Sequence, residues 1–299
     1  MRAFTILLIL FFLTIPAISA QENALRKIQY LEKDFDLLLH SRKFAQGEVI
    51  LLNYKAKSKK KDPEIYWNDK KIFLTKKNDS LIGFIAVHPE YKKDQAKLSV
   101  KIKAFFKSEV FEYTPSISKT TFKETAALKL DSKFTSQNYS KQILDFIEEC
   151  TKAKNKAFQK FREMKISGNF DYPVKNTKIN SNFYARRTYN GKKGSPHRGI
   201  DLKGKKGDPI YAIQEGKVEL ARKMYFEGNL TIINHGNRLY SLYMHQSKTL
   251  VKEGDYVKKG ELIGKIGSTG MSTGPHLHLA VKLNGIYVDP VSLISLNIL

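Results

Sequence analysis

Three short stretches of this chain carry imidazoles and a carboxylate at spacings that could do chemistry. The first is Thr273-Gly274-Pro275-His276-Leu277-His278-Leu279-Ala280-Val281, where two histidines stand one residue apart in a run alternating with apolar side chains. In a β-strand, residues i and i+2 point to the same face. His276 and His278 then project together, while Leu277 and Leu279 face a core. Two imidazoles side by side on rigid backbone are half of a metal site or of an acid–base site. Upstream, His197-Arg198-Gly199-Ile200-Asp201 sets a histidine and a carboxylate four apart, on one face if the segment is extended. Tyr243-Met244-His245 ends another apolar, strand-like run. Two imidazoles plus a carboxylate make a three-ligand metal set with a fourth position for water.

The elements that must position these groups are strands. Leu230–Asn234 and Leu239–Met244 read as a hairpin with His235-Gly236-Asn237-Arg238 as its turn, and His235 is read as a structural residue of that turn. Glycines stand at the corners, as in Gly216-Lys217-Val218, Lys258-Lys259-Gly260 and Gly264 to Gly270. An all-β domain is expected over 168–299.

These residues resemble the LytM/lysostaphin-type zinc endopeptidases, whose pattern is His-x-x-x-Asp, a later His, then His-x-His. All of it stands here in order, within matching text: Gly199-Ile200-Asp201-Leu202, Gly254-Asp255-Tyr256-Val257 and Gly267-Ser268-Thr269-Gly270. The likeness covers roughly the last 130 residues, about one domain. It implies the duplicated-hybrid-motif fold, a compact antiparallel sheet with a groove. It implies one zinc ion on His197, Asp201 and His278, with His245 and His276 beside the metal-bound water as catalytic groups. The substrate implied is the peptide part of bacterial peptidoglycan. Two positions depart from the family. Tyr184 stands where Ser-x-Phe-Gly-x-Arg has its glycine, so a changed loop path is expected. Ala280 stands where relatives often carry Glu, so the support around the ligands should differ while activity is retained. Tyr189, eight residues before His197, is a candidate donor to the oxyanion.

The 299-residue chain is long enough for two domains, with 41% hydrophobic and 27% charged residues. Its net charge is +23. Residues 166–299 hold 20 Lys or Arg and 10 Asp or Glu, and the rest hold 32 and 19, so the excess is diffuse. A nucleic-acid binder concentrates such charge in one patch, and none is expected as a partner. Anionic envelope polymers remain a partner compatible with a basic surface. The single cysteine, Cys150, excludes an internal disulfide and thiolate zinc sites and reads as a small core residue.

Met1-Arg2, the uncharged run Ala3–Ala20 and Ala17-Ile18-Ser19-Ala20 read as a signal peptide over 1–20, cleaved after Ala20. Export to the periplasm or cell envelope follows, with the membrane touched only if that segment stays uncleaved. Leu25, Ile28, Leu31, Phe35 and Leu38 recur at helical spacing and predict a short helix within 24–42. Strands are predicted at Val49–Tyr54, Ile65–Trp67, Ile72–Leu74, Leu81–Val87, Leu98–Phe105 and Val110–Tyr113. They suggest a small β-sandwich of immunoglobulin type over 21–115. His40 and His88 are read as structural or surface residues. A helical linker is expected over 116–167, with Ser140 as N-cap and Ile143, Ile147, Cys150, Ala157 and Phe161 on one face for six to seven turns. Two functions from different classes follow: a zinc endopeptidase cutting peptidoglycan cross-links, or a non-catalytic activator of other wall hydrolases. The intact ligand set favours the enzyme.

Overall fold

Alternation of apolar and polar side chains folds the first third of the chain into strands. The computed structural model describes residues 25–57, 63–103, 108–125, 127–136 and 138–298, so the expected signal peptide lies outside the described residues. The N-terminal strands are β1 (Arg26–Leu31), β2 (Phe35–Ser41), β3 (Val49–Ala56), β4 (Glu64–Trp67), β5 (Lys70–Lys71), β6 (Leu74–Lys77), β7 (Ser80–Ala86), β8 (Leu98–Ile102) and β9 (Glu109–Tyr113). They form two sheets, ordered β1-β2-β3-β7-β6 and β5-β4-β8-β9. Phe35, Leu37, Leu39, Ile50 and Leu52 from one sheet pack with Ile65, Trp67, Leu98, Val100 and Ile102 from the other.

Two strand-level expectations need correction here. The helix predicted within 24–42 is instead the hairpin β1–β2, paired from Arg26 with Ser41 to Leu31 with Asp36. Within β2 the buried residues Phe35, Leu37 and Leu39 recur every second position, and that period governs once neighbouring strands supply a core. The strand expected at Ile72–Leu74 begins only at Leu74, because Ile72 and Phe73 carry the chain from one sheet to the other.

The helix α1 (Lys141–Gln159) opens where Ser140 Oγ accepts a hydrogen bond from the Ile143 amide at 3.4 Å. It ends before Phe161, one turn short of the expectation. Extended backbone at Lys160 releases the chain, and the Phe161 ring turns to Phe73 at 5.1 Å. Of the expected face, Cys150 and Ala157 are buried.

The C-terminal half contains β10 (Ile179–Ser181), β11 (Thr188–Tyr189), β12 (Lys192–Lys193), β13 (Ile200–Lys203), β14 (Pro209–Tyr211), β15 (Gly216–Met224), β16 (Gly228–Gly236) and β17 (Leu239–Gln246). β18 (Lys248–Thr249), β19 (Tyr256–Val257), β20 (Leu262–Lys265), β21 (His276–Leu283), β22 (Ile286–Val288) and the helix α2 (Pro290–Ile294) complete it. The main sheet runs β10-β13-β21-β17-β16-β15-β19, every pairing antiparallel. The hairpin β16–β17 turns at Asn237 and Arg238, both with positive φ, so His235 lies in a strand rather than in the turn. One face of this sheet carries Leu277, Leu279, Val281 and Leu283 into a core shared with Ile210 and Ile263 of the sheet β14-β20-β18. Over part of the opposite face α1 lies down, with Cys150 and Ala157 against Leu220, Leu230, Ile232, Leu242 and Ala280.

The two halves are tied together. Val49, Leu51, Ile82, Phe84 and Ala86, on the outer face of β3 and β7, join the C-terminal core beside Phe170 and Phe183. Arg42 Nη2 reaches both Glu48 Oε1 and Asp289 Oδ2 at 2.6 Å. The amide of Val49 donates to Ser292 Oγ at 2.7 Å, and that of Asp289 to the Gly47 carbonyl at 2.8 Å.

Candidate metal centre

Strand register brings the pieces together. β13 and β21 pair so that Asp201 stands directly opposite His278, and β17 places Met244 opposite His278 on its other side. Side chains directly opposite in an antiparallel pair have their Cβ atoms about 5 Å apart. His197 lies just before β13 and reaches the same point. The amide of His197 donates to the Ala185 carbonyl at 3.0 Å, and the amide of Tyr184 to the His197 carbonyl at 2.7 Å. Gly199 is required between them: a Cβ there would meet the Leu279 carbonyl at 2.3 Å and His278 Nε2 at 2.6 Å.

His197 Nε2, Asp201 Oδ1 and His278 Nδ1 converge. His197 Nε2 lies 3.0 Å from Asp201 Oδ1 and 2.8 Å from His278 Nδ1, and the last two atoms are 2.9 Å apart. All three residues are buried, and they form a group that could hold a metal ion. His197 Nδ1 donates to the Asn182 carbonyl at 2.9 Å, which leaves Nε2 with a bare lone pair. An ionised carboxylate offers only lone pairs as well. At most one proton is thus available among three mutually facing acceptors. A divalent cation satisfies such a set, and two imidazole nitrogens with one carboxylate oxygen match the donors of an open site.

The surrounding groups fix this geometry. Arg187 Nη2 donates to Asp201 Oδ2 at 2.5 Å and to Ser181 Oγ at 2.8 Å, which turns Oδ1 towards the imidazoles. Burial alone would raise the Asp201 carboxyl. The neighbouring His197 and His278 outweigh it and hold Asp201 well below the usual carboxylate range. Burial lowers His197 to about 4 against the opposing pull of Asp201, so its ring is neutral at pH 7 and free to ligate.

His245 and His276 flank the cluster. In a regular strand His245 would point away from Met244, towards the core that holds Tyr243. Its backbone instead takes φ +61°, a left-handed conformation costing about 1–2 kcal/mol. The ring lies 5.0 Å from that of His276 and 6.0 Å from that of His278. His245 Nδ1 donates to the Thr269 carbonyl and His276 Nδ1 to the Gly274 carbonyl, each at 2.8 Å, so both leave Nε2 as the free nitrogen. His276 Nε2 sits 3.5 Å from Asp201 Oδ1. Burial, then the neighbouring His276 and His278, push His245 down to about 3.

A cleft of about 540 Å³ opens over these groups, lined by Asp201, His245, His276, Arg187 and Tyr189 among others. Tyr189 is thus at the site, its ring packed where a Cβ on Gly194 would meet it at 2.4 Å. Tyr184 adopts φ +56°, a left-handed conformation that a glycine takes freely, and its hydroxyl donates to Glu90 Oε1 at 2.6 Å. Ala280 is buried beneath α1. His235 is elsewhere in the sheet: Nδ1 donates to the Glu215 carbonyl and Nε2 accepts from Ser241 Oγ, each at 2.8 Å. His88 Nδ1 accepts from the Glu90 amide at 3.0 Å in a turn, and His40 sits on β2. Arg187 escaped sequence reasoning, because an arginine following Arg186 carries no periodic signal that separates a buried ion pair from a surface charge. So did Thr125, Leu128 and Leu130, which line the cleft from the segment before α1.

Comparison with known proteins finds matches over part of the chain. Residues 195–290 match Peptidase family M23. The chain is 40% identical over 129 residues to peptidoglycan DD-endopeptidase ShyA of Vibrio cholerae, across 42% of this chain and 29% of that protein. It is 43% identical over 96 residues to DD-carboxypeptidase/endopeptidase Mpg of Neisseria meningitidis, across 32% of this chain and 22% of that one. The matched region is therefore less than a third of the length of these curated relatives. A Pseudomonas aeruginosa crystal structure assigned to peptidase M23 superposes with a TM-score of 0.62 at 23% identity, over 85% of this chain and 96% of that one, and so shares the fold.

Proposed function

We propose that this chain, which carries a domain of peptidase family M23 over residues 195–290, is a zinc-dependent endopeptidase that hydrolyses peptide cross-links of peptidoglycan in the bacterial envelope. The observation that carries it is the convergence of His197 Nε2, Asp201 Oδ1 and His278 Nδ1 on one point, with two further imidazoles alongside. The relatives named as peptidoglycan endopeptidases support the substrate. In this reading residues 21–115 form an N-terminal domain, 116–167 a linker and 168–299 the catalytic domain, with 1–20 an export signal. Among the described residues, no helix is long and apolar enough to cross a membrane.

His197, Asp201 and His278 would hold the zinc ion. When bound, the ion supplies Lewis acidity, which acidifies a water towards pKa about 7 and polarises the scissile carbonyl. Arg187 keeps the carboxylate turned and the Asn182 carbonyl fixes the His197 tautomer. His245 presents a neutral Nε2 and takes the proton from the attacking water, or His276 does so in its place. The other imidazole, once protonated, donates to the oxyanion or to the leaving amine. The same two backbone carbonyls that hold Nδ1 of each ring keep both nitrogens aimed throughout. Tyr189, on the cleft wall, is a further donor to the oxyanion.

Incubation of the purified chain with defined muropeptide dimers, followed by mass spectrometry of the fragments, tests this directly. Cleavage products are expected, lost on chelation and restored by zinc. A metal-stripped protein digesting at an unimpaired rate would refute the proposal.

A further inference from the structure

The cleft over the metal cluster is not built by the main sheet and its loops alone. The chain between β9 and α1 runs along one side of it. Phe122 stacks near Phe183 and Tyr184, at ring distances of 6.3 and 4.8 Å. From there the segment lies parallel to the strand leading into β11, with Glu124 beside Arg186 and Leu128 beside Tyr189. The amide of Arg186 donates to the Lys123 carbonyl and that of Thr125 to the Arg186 carbonyl, both at 3.0 Å. The amide of Leu128 donates to the Thr188 carbonyl at 2.8 Å, and that of Asn190 to the Leu128 carbonyl at 3.0 Å. The side-chain amide of Asn190 holds Leu130 at both ends, Oδ1 accepting from the Leu130 amide and Nδ2 donating to its carbonyl, each at 3.0 Å. Beyond Leu130 the chain crosses to the loop between β15 and β16. There the Tyr225 hydroxyl donates to the Lys133 carbonyl at 2.7 Å, and Phe134, Tyr139 and Phe146 surround the Tyr225 ring.

Side chains on this segment alternate. Ala127 and Lys129 are exposed, whereas Leu128 and Leu130 are half-buried and turn into the cleft together with Thr125. Met271 and Pro275, in the loop that leads into His276, line the same cleft. The segment does not cover the catalytic groups, because Asp201, His245 and His276 line the same open cleft with the segment in place.

We infer that Thr125, Leu128 and Leu130 form a substrate-binding wall, and that Leu128 and Leu130 with Met271 and Pro275 form an apolar slot that accepts an uncharged side chain of the peptide next to the cleaved bond. This rests on the peptidase reading above. Backbone pairing to the hairpin β11–β12 fixes the wall, so its side chains meet substrate without prior ordering, which lowers the entropy cost of binding.

The test compares the full chain with Leu128→Ala, Leu130→Ala and Leu128→Ser for hydrolysis of a defined muropeptide dimer. Binding of the same dimer is measured in parallel by calorimetry on a His245→Ala background. Trimming one apolar side chain from the slot predicts KM raised about five- to tenfold, with kcat within about twofold and zinc content unchanged. Lys129→Gln, on the outward face, should leave KM as it is. Variants whose KM and dimer affinity equal those of the parent overturn the inference. So do variants with raised kcat/KM, since that would make the segment an obstruction. A parent protein that neither binds nor cleaves the dimer instead refutes the peptidase reading. Circular dichroism of each variant identifies any loss through unfolding, and Leu128→Met, which keeps the volume, should restore KM towards that of the parent.

Discussion

Two histidines of the C-terminal half, His197 and His235, are buried alike and held at about 4 by the same cause, loss of hydration. Only one of them belongs to a site. His235 has both ring nitrogens saturated, by a carbonyl on one side and a hydroxyl on the other. His197 has one nitrogen saturated and the other aimed at two more acceptors. A depressed pKa thus records burial and says little about chemistry. What separates the two is where the spare lone pair points. A lone pair facing a hydroxyl is satisfied, while one facing a carboxylate and a second imidazole requires a cation.

The comparison can be broken most severely at His278. His278→Ala removes one of three converging donors, and the purified variant should carry no zinc by elemental analysis and hydrolyse muropeptides only at background. His235→Ala should keep a full complement of metal; loss of zinc there would erase the distinction. Next comes His245→Ala, which should retain zinc while kcat falls about 10²- to 10⁴-fold, the usual span for a lost proton-transfer group. Metal loss in that variant would move His245 into the ligand set. Smaller still is Arg187→Ala. Freed from its partner, Asp201 Oδ2 can swing, and zinc affinity should weaken about 10- to 100-fold in competition with a chelator. Unchanged affinity would show that β13 alone orients the carboxylate.

The mildest effect concerns His235 and pH. Its pKa in the fold is about 4 against an ordinary 6.5, so the unfolded chain binds the proton more readily. Its stability contribution is complete above pH 6.5 and is lost as pH falls towards 4. Urea titrations of metal-free protein should show stability declining across that window. His235→Asn should shed part of the decline and cost about 1–3 kcal/mol at pH 7 through unpaired buried groups. An identical slope in parent and variant would mean that His235 stays neutral in both states.

The candidate site was more legible than the framework around it. Period-two alternation through His276 and His278 told which side chains shared a face, because every neighbour in that run obeys the same rule. Asp201 and His197 were readable from spacing and surrounding glycines, and Gly199 shows why: the chain there passes close against the His278 ring. The N-terminal hairpin was not readable. Leu25, Ile28, Leu31, Phe35 and Leu38 satisfy a helical period by coincidence, since a three-residue turn separates two strands whose own periods are two. Leu31, one of the five, is 65% exposed and lies on the solvent face of β1 with Lys27 and Gln29. Likewise the aim of His245 depends on a single left-handed residue, and Arg187 depends on a partner 14 positions away. Neither leaves a local trace in residue type.

The clamp around Arg42 has a consequence for the integrity of the molecule. One guanidinium grips a carboxylate from each half, and Ser292 and Asp289 are hydrogen-bonded to the opposite half's backbone. A shared apolar layer lies beneath them. The peptide bond joining the halves is therefore not what keeps them adjacent. A protease nick at exposed Ala127 or Lys129 would yield two fragments that co-elute as one particle and separate only in denaturant.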